Sequence, residues 1–144
     1  MKTAQLNQKI WLIAFLFGFA FIKPTLAQQP IDNALESLKQ NYTVIGVYFG
    51  PYIDDYHKPE FPETIAIVYD EYNYYMAFLS NNTFEVDDED YVLRKMTQSS
   101  FRTIRPNDDM PEKFVLTNKG IDTCIYNPDY GDWVFMGYFK SLYF

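Results

Sequence analysis

The sequence predicts a mainly β domain, with one N-terminal helix followed by an antiparallel meander of about eight short strands, closed into a small barrel or folded as a sandwich. Three observations carry this. Beyond residue 40, apolar residues recur in short alternating runs and not at helical spacing. Turn residues (Gly, Pro, Asn and Asp) separate the runs. Aromatics, which favour strands, are abundant, with 13 Tyr, 13 Phe and 2 Trp in 144 residues.

The chain opens on an export signal, residues 1–27. Lys2 and Lys9 give a positive start, Ile10–Ile22 is an unbroken apolar run, and Thr25-Leu26-Ala27 supplies small residues before a cleavage site. The run is too short to span a bilayer, which takes roughly 20 apolar residues. The expected mature protein is therefore a single β-rich domain, residues 28–144, secreted or periplasmic and without stable membrane insertion. No cysteine follows the apolar run, so no lipid anchor is expected there.

Ile31–Gln40 is the one convincing helix, because Ile31, Ala34, Leu35 and Leu38 share a face at i, i+3, i+4, i+7. Strands are expected over Thr43–Phe49, Thr64–Tyr69, Tyr74–Leu79, Phe101–Arg105, Phe114–Thr117, Ile121–Tyr126 and Trp133–Phe139. Between them lie Gly50-Pro51, Asp70-Glu71, Asn81-Asn82, Pro106–Asp109, Asn118–Gly120 and Asn127–Asp129 as turns. Tyr91–Met96 is ambiguous, since the acidic run Asp87–Asp90 before it also suits a helix N-terminus. Tyr74–Leu79 and Trp133–Phe139 are apolar on both faces, and such strands need cover on each side. A barrel interior supplies one cover and the N-terminal helix the other. Trp133, Phe135, Ile67, Tyr69, Met76 and Phe78 are accordingly the expected core.

Charge narrows the function. Three of the twelve Lys and Arg, and none of the nineteen acids, fall within residues 1–27, which leaves nine against nineteen, a charge of −10. That balance argues against nucleic acid, whose binding rests on cationic side chains, and against an anionic membrane surface. A basic protein partner stays open. Cys124 is the only cysteine, so no internal disulfide can form; in a strand-like run it reads as a small buried hydrophobe.

The longest loop, Gly50–Glu63, holds the sole histidine, His57, beside Asp54, Asp55 and Tyr56, with Tyr52 at its start. Tyr52, Asp54, Asp55, Tyr56 and His57 form the candidate ligand or partner site. Three prolines make this a stiff, solvent-facing loop, and no nucleophile stands at a recognisable spacing from the histidine. No catalytic residue, metal or cofactor is expected. The acidic run at 87–90 lacks the glycine that a calcium loop needs for its sharp turn, and the sequons at Asn41 and Asn81 matter only in a eukaryotic secretory pathway.

The expected function is non-catalytic binding, of a small apolar ligand inside the barrel or of a protein through exposed aromatics. One alternative is a hydrolase using the His57 loop. Another follows from the C-terminus: Phe144, with Leu142, Tyr138 and Met136 at alternate positions before it, resembles the end of bacterial outer-membrane barrels, which implies a small membrane barrel. Lys140 breaks that pattern, and the strands are short for it.

Overall fold

The computed structural model describes residues 29–54 and 56–142, so the expected export signal (residues 1–27), Asp55 and Phe144 lie outside the described residues. Helix α1 (Gln29–Leu38) precedes eight strands: β1 (Thr43–Tyr52), β2 (Glu63–Tyr69), β3 (Tyr74–Ser80), β4 (Thr83–Thr97), β5 (Ser100–Thr103), β6 (Glu112–Leu116), β7 (Gly120–Asn127) and β8 (Asp132–Ser141). Each strand pairs antiparallel with the next, and β1 closes on β8, which makes a complete barrel and not a sandwich. Closure pairs every strand with a neighbour on each side over at least part of its length. In an up-and-down meander the β1–β2, β3–β4, β5–β6 and β7–β8 connections gather at one end, called here the upper end.

The helix begins and ends two residues earlier than its periodicity suggests. Past Leu38 the chain tightens, with the amides of Asn41 and Tyr42 both donating to the Leu38 carbonyl. Ala34, Leu35 and Leu38 are buried against the outer faces of β1–β4, on Val47, Ala66, Val68, Ala77 and Leu79, with Phe84 and Val86 of β4 beside them. Ala66 pairs directly with Ala77 across β2–β3, and these small side chains make the flat seat on which the helix lies. The two-faced hydrophobicity of β3 thus has its expected cause, and β2 shares it: one face meets α1 and the other fills the barrel. The interior holds Tyr48, Ile65, Ile67, Met76, Leu93, Phe101, Phe114, Ile121 and Phe139.

Two expectations need correction. The acidic run is not a helix start but part of β4. Between Met76↔Asp87 and Tyr75↔Val92 the β3–β4 register shifts, and Asp87 Oδ1 accepts the amides of Glu89, Asp90 and Tyr91. The side chain replaces the ladder partners that the bulged residues give up.

The second correction concerns β8. Ile67 and Met76 are buried, Tyr69 and Phe78 are half-buried, but Phe135 is 53% exposed. Trp133 is half-buried on the outer face, edge-on to Tyr126, with Lys113 Nζ 4.4 Å above its ring and Arg102 at 5.9 Å. Cationic heads, not a packed core, cover this tryptophan. Trp133→Ala should therefore cost only about 1 kcal/mol, read as a small shift in the denaturation midpoint. A loss of roughly 3 kcal/mol or more would put the ring in the core after all. Cys124 lies on the same outer face, half-buried, opposite Phe135. Burial pushes its thiol pKa up, which disfavours the reactive thiolate.

Candidate functional site

The barrel wall is uneven, and the site follows from that. β5 has four residues and pairs with β4 only from Leu93 to Thr97. The first half of β4 therefore has no ladder partner on its β5 side, and the upper wall between β4 and β6 is closed by side chains. Arg105, in the β5–β6 loop, is the clasp. Its Nε donates to the Asp90 carbonyl at 2.6 Å, its Nη2 lies 3.4 Å from Glu112 Oε1, and its guanidinium sits 4.9 Å from the Tyr91 ring centre. Burial opposes the Arg105 charge, but Glu112, Tyr91, Asp108 and Asp90 outweigh it and hold the pKa above its ordinary value.

Behind this clasp the upper interior is not filled. A cavity of about 250 Å³ is lined chiefly by Ile65, Met76, Phe78, Tyr91, Phe114 and Phe139. Pro51 and Glu63, which flank the β1–β2 connection, also line it, as do Glu112 and Met136. These positions place its mouth at the upper end. Phe78 meets Tyr91 edge-on at 5.7 Å, and Tyr91 leans on Phe114 at 6.4 Å. Met136 faces the mouth because the β7–β8 register shifts next to it. Gly137 permits that shift: its φ is 146°, and a Cβ there would lie 2.4 Å from the Tyr52 carbonyl oxygen.

The polar groups of this cavity are few and placed. Tyr91 Oη donates to Glu112 Oε1 at 3.3 Å. Burial, then the Glu112 charge, push the Tyr91 phenol above its usual pKa, so it stays a neutral donor. Thr123 satisfies its hydroxyl on the Gly137 carbonyl at 2.9 Å. Glu63 stands exposed at the rim. An apolar, aromatic chamber with a few fixed polar points suits a small hydrophobic guest.

The loop singled out from the sequence borders this mouth. Asp54 Oδ1 accepts the amides of Tyr56 and His57, each at 2.8 Å, and lies 2.7 Å from His57 Nδ1. The His57 amide, then its imidazole, then the Tyr56 amide hold the Asp54 carboxyl below its ordinary pKa. Among the described residues Asp54 is the only hydrogen-bond or ion-pair partner of His57, whose side chain is 66% exposed. Tyr56 is almost wholly exposed, and Asp55 lies outside the described residues. Tyr52 is set apart from this group: it belongs to β1 and stacks on Tyr138 of β8 at 5.5 Å, with Lys140 Nζ 4.6 Å from its ring centre, at the barrel seam. Among the described residues no group of three or more His, Cys, Asp or Glu is arranged to hold a metal.

The cavity residues escaped the sequence reading, since Ile65, Met76, Phe78 and Phe114 look like any core residues. Glu112 is the one retrievable signal: an acid two residues before Phe114, and so on the same inward face as that ring.

The polarity of the wall bears on the membrane alternative. A transmembrane barrel carries an apolar band outward and a polar interior. Here the interior is Phe, Ile, Met and Leu, while Arg94, Arg102 and Lys113 stand side by side on the outer face of β4–β6. Among the described residues no helix is long and apolar enough to cross a membrane. No known family model, curated protein or solved structure matches this chain. The functional argument therefore rests on geometry.

Proposed function

We propose that this small β-barrel is an exported, non-catalytic carrier of a small apolar ligand, taken into the upper mouth of the barrel. The observation that carries the reading is the unfilled aromatic chamber of about 250 Å³ in an otherwise packed interior. Apolar cavities of about 150 Å³ already accept benzene, so a guest of one or two rings or a short acyl chain fits. The loop residues Asp54, Tyr56 and His57 form one lip of the mouth in this reading, and Tyr52 steadies the seam beneath it. The His57–Asp54 pair lacks a neighbouring nucleophile among the described residues, which speaks against the hydrolase alternative.

Met136 tests the site. It is 56% exposed and lines the mouth, so Met136→Lys should fold normally while placing a charge where the apolar guest enters. Affinity for an apolar fluorescent probe, measured by titration, should fall about tenfold or more. Unchanged affinity would place the bound probe elsewhere and defeat the carrier reading.

A second reading has its own observation. Ile53, Tyr56 and Phe61 in the β1–β2 loop and Tyr130 in the β7–β8 turn are each more than two-thirds exposed at this same end. An apolar rim of that kind suits a protein partner docking over the mouth.

A further inference from the structure

The sequence contains three arginines, Arg94, Arg102 and Arg105. All three line one pocket of about 160 Å³ on the outer side of the barrel, between β4, β5 and the β5–β6 loop. We propose that this pocket binds a phosphate group that still carries a proton, either free hydrogenphosphate or the headgroup of a phosphate monoester. The site is separate from the apolar chamber and does not depend on it.

The cations are held against their own repulsion. Arg94 pairs with Arg102 across β4–β5, and Arg102 with Lys113 across β5–β6, which sets three positive side chains in one cross-strand row. Like charges directly opposite are destabilising. Among the described residues no carboxylate pairs with Arg94 or Arg102, in a chain where acids outnumber bases nineteen to twelve. Guanidinium groups present forked donors that match oxyanions two bonds at a time. An anion in the pocket would relieve the repulsion and fill those donors.

Asp108 decides which anion. It lines the same pocket. One carboxylate oxygen accepts the Met110 amide at 3.1 Å, while the other, Oδ2, is buried with no partner. A carboxylate oxygen can only accept, and a buried acceptor left unpaired is costly. Sulfate or a carboxylate would bring it only more acceptors. Once the Asp108 carboxylate turns to bring Oδ2 into the pocket, a protonated phosphate can donate its O–H to that oxygen while its other oxygens accept from the arginines. The pocket is thus built to prefer phosphate over sulfate, despite their similar size and shape.

Amide-resolved NMR titration with inorganic phosphate, glycerol phosphate and sulfate tests this. Phosphate or its ester should shift the amides around Arg94, Arg102 and Asp108 saturably, with sulfate at least about tenfold weaker. The tighter of the two phosphate probes shows whether the site takes the free ion or an ester. Arg94→Gln and Arg102→Gln, both at exposed positions that should leave folding intact, should each weaken phosphate binding about tenfold. Arg105 is left in place because it clasps the wall. Asp108→Asn keeps an acceptor for the Met110 amide and can turn a donor to the ligand, so sulfate should then bind at least as tightly as phosphate. Absence of saturable binding, equal affinity for phosphate and sulfate in the unaltered protein, or full phosphate binding by the Arg94→Gln/Arg102→Gln double variant would each overturn the proposal.

Discussion

Phe101→Ala should lower the unfolding free energy by about 3–5 kcal/mol, among the largest losses any single truncation can produce here. Phe101 is 1% exposed and is the central inward side chain of a strand only four residues long. Its ring lies against Tyr74 at 5.1 Å. Its backbone stands between Lys95 of β4 and Phe114 of β6. β5 is therefore held in the wall by few ladder bonds, and the phenyl ring anchors it from inside. Truncation leaves a void that neighbours in three strands must collapse into. A domain of this size has only about 5–15 kcal/mol in total, so the variant should be largely unfolded at modest denaturant concentrations. Phe101→Leu, which keeps most of the volume, should lose less than half as much. Equilibrium urea denaturation checks both. A loss under about 1 kcal/mol for the alanine variant would mean that the lower barrel is not packed around this ring.

What was legible in the sequence divides along a physical line. Local periodicity revealed α1 and seven of the eight strands, because each buries a face and burial imposes its period on the residues. The Asn81-Asn82 turn was equally plain, and in the structure both residues adopt positive φ, 40° and 71°, as a tight hairpin requires. The first half of β4 was hidden because Asp87 serves the backbone there; its carboxylate makes the bulge, and a run of acids carries no mark of that duty. The apolar look of β8 misled for another reason. Trp133 and Phe135 sit outside, where the charged heads of Lys113 and Arg102 lie over Trp133, and sequence alternation cannot tell a cationic canopy from a core. The chamber was illegible because an unfilled space depends on how side chains from seven strands meet across the barrel. The arginine pocket left a trace that periodicity ignores: the only three arginines fall within twelve residues, around one hairpin and the loop that follows it.

Arg105→Ala should cost about 2–3 kcal/mol and should also weaken binding in the chamber. The side chains of Arg105 and Glu112 are 26% and 28% exposed, so the loss should fall below the roughly 3–5 kcal/mol typical of breaking a fully buried pair. Three contacts go at once: the bond to the Asp90 carbonyl, the ion pair to Glu112, and the stacking over Tyr91. Glu112 is left as a half-buried charge beside the Tyr91 phenol. Arg105→Lys should recover little, because an ammonium cannot reach Asp90 and Glu112 with one planar fork. Adding Glu112→Gln to Arg105→Ala should recover part of the loss by removing the stranded carboxylate, a coupling of more than about 0.5 kcal/mol in a double-mutant cycle. Tyr91 and Glu112 line the chamber, so loosening them should reduce apolar-probe affinity together with stability. Met136→Lys should reduce affinity alone. A destabilised Arg105→Ala variant that binds the probe as tightly as the parent would show that the clasp holds the wall without shaping the site. A variant as stable as the parent would assign closure of the upper wall to the bond from the Glu112 amide to Thr103 Oγ1 instead.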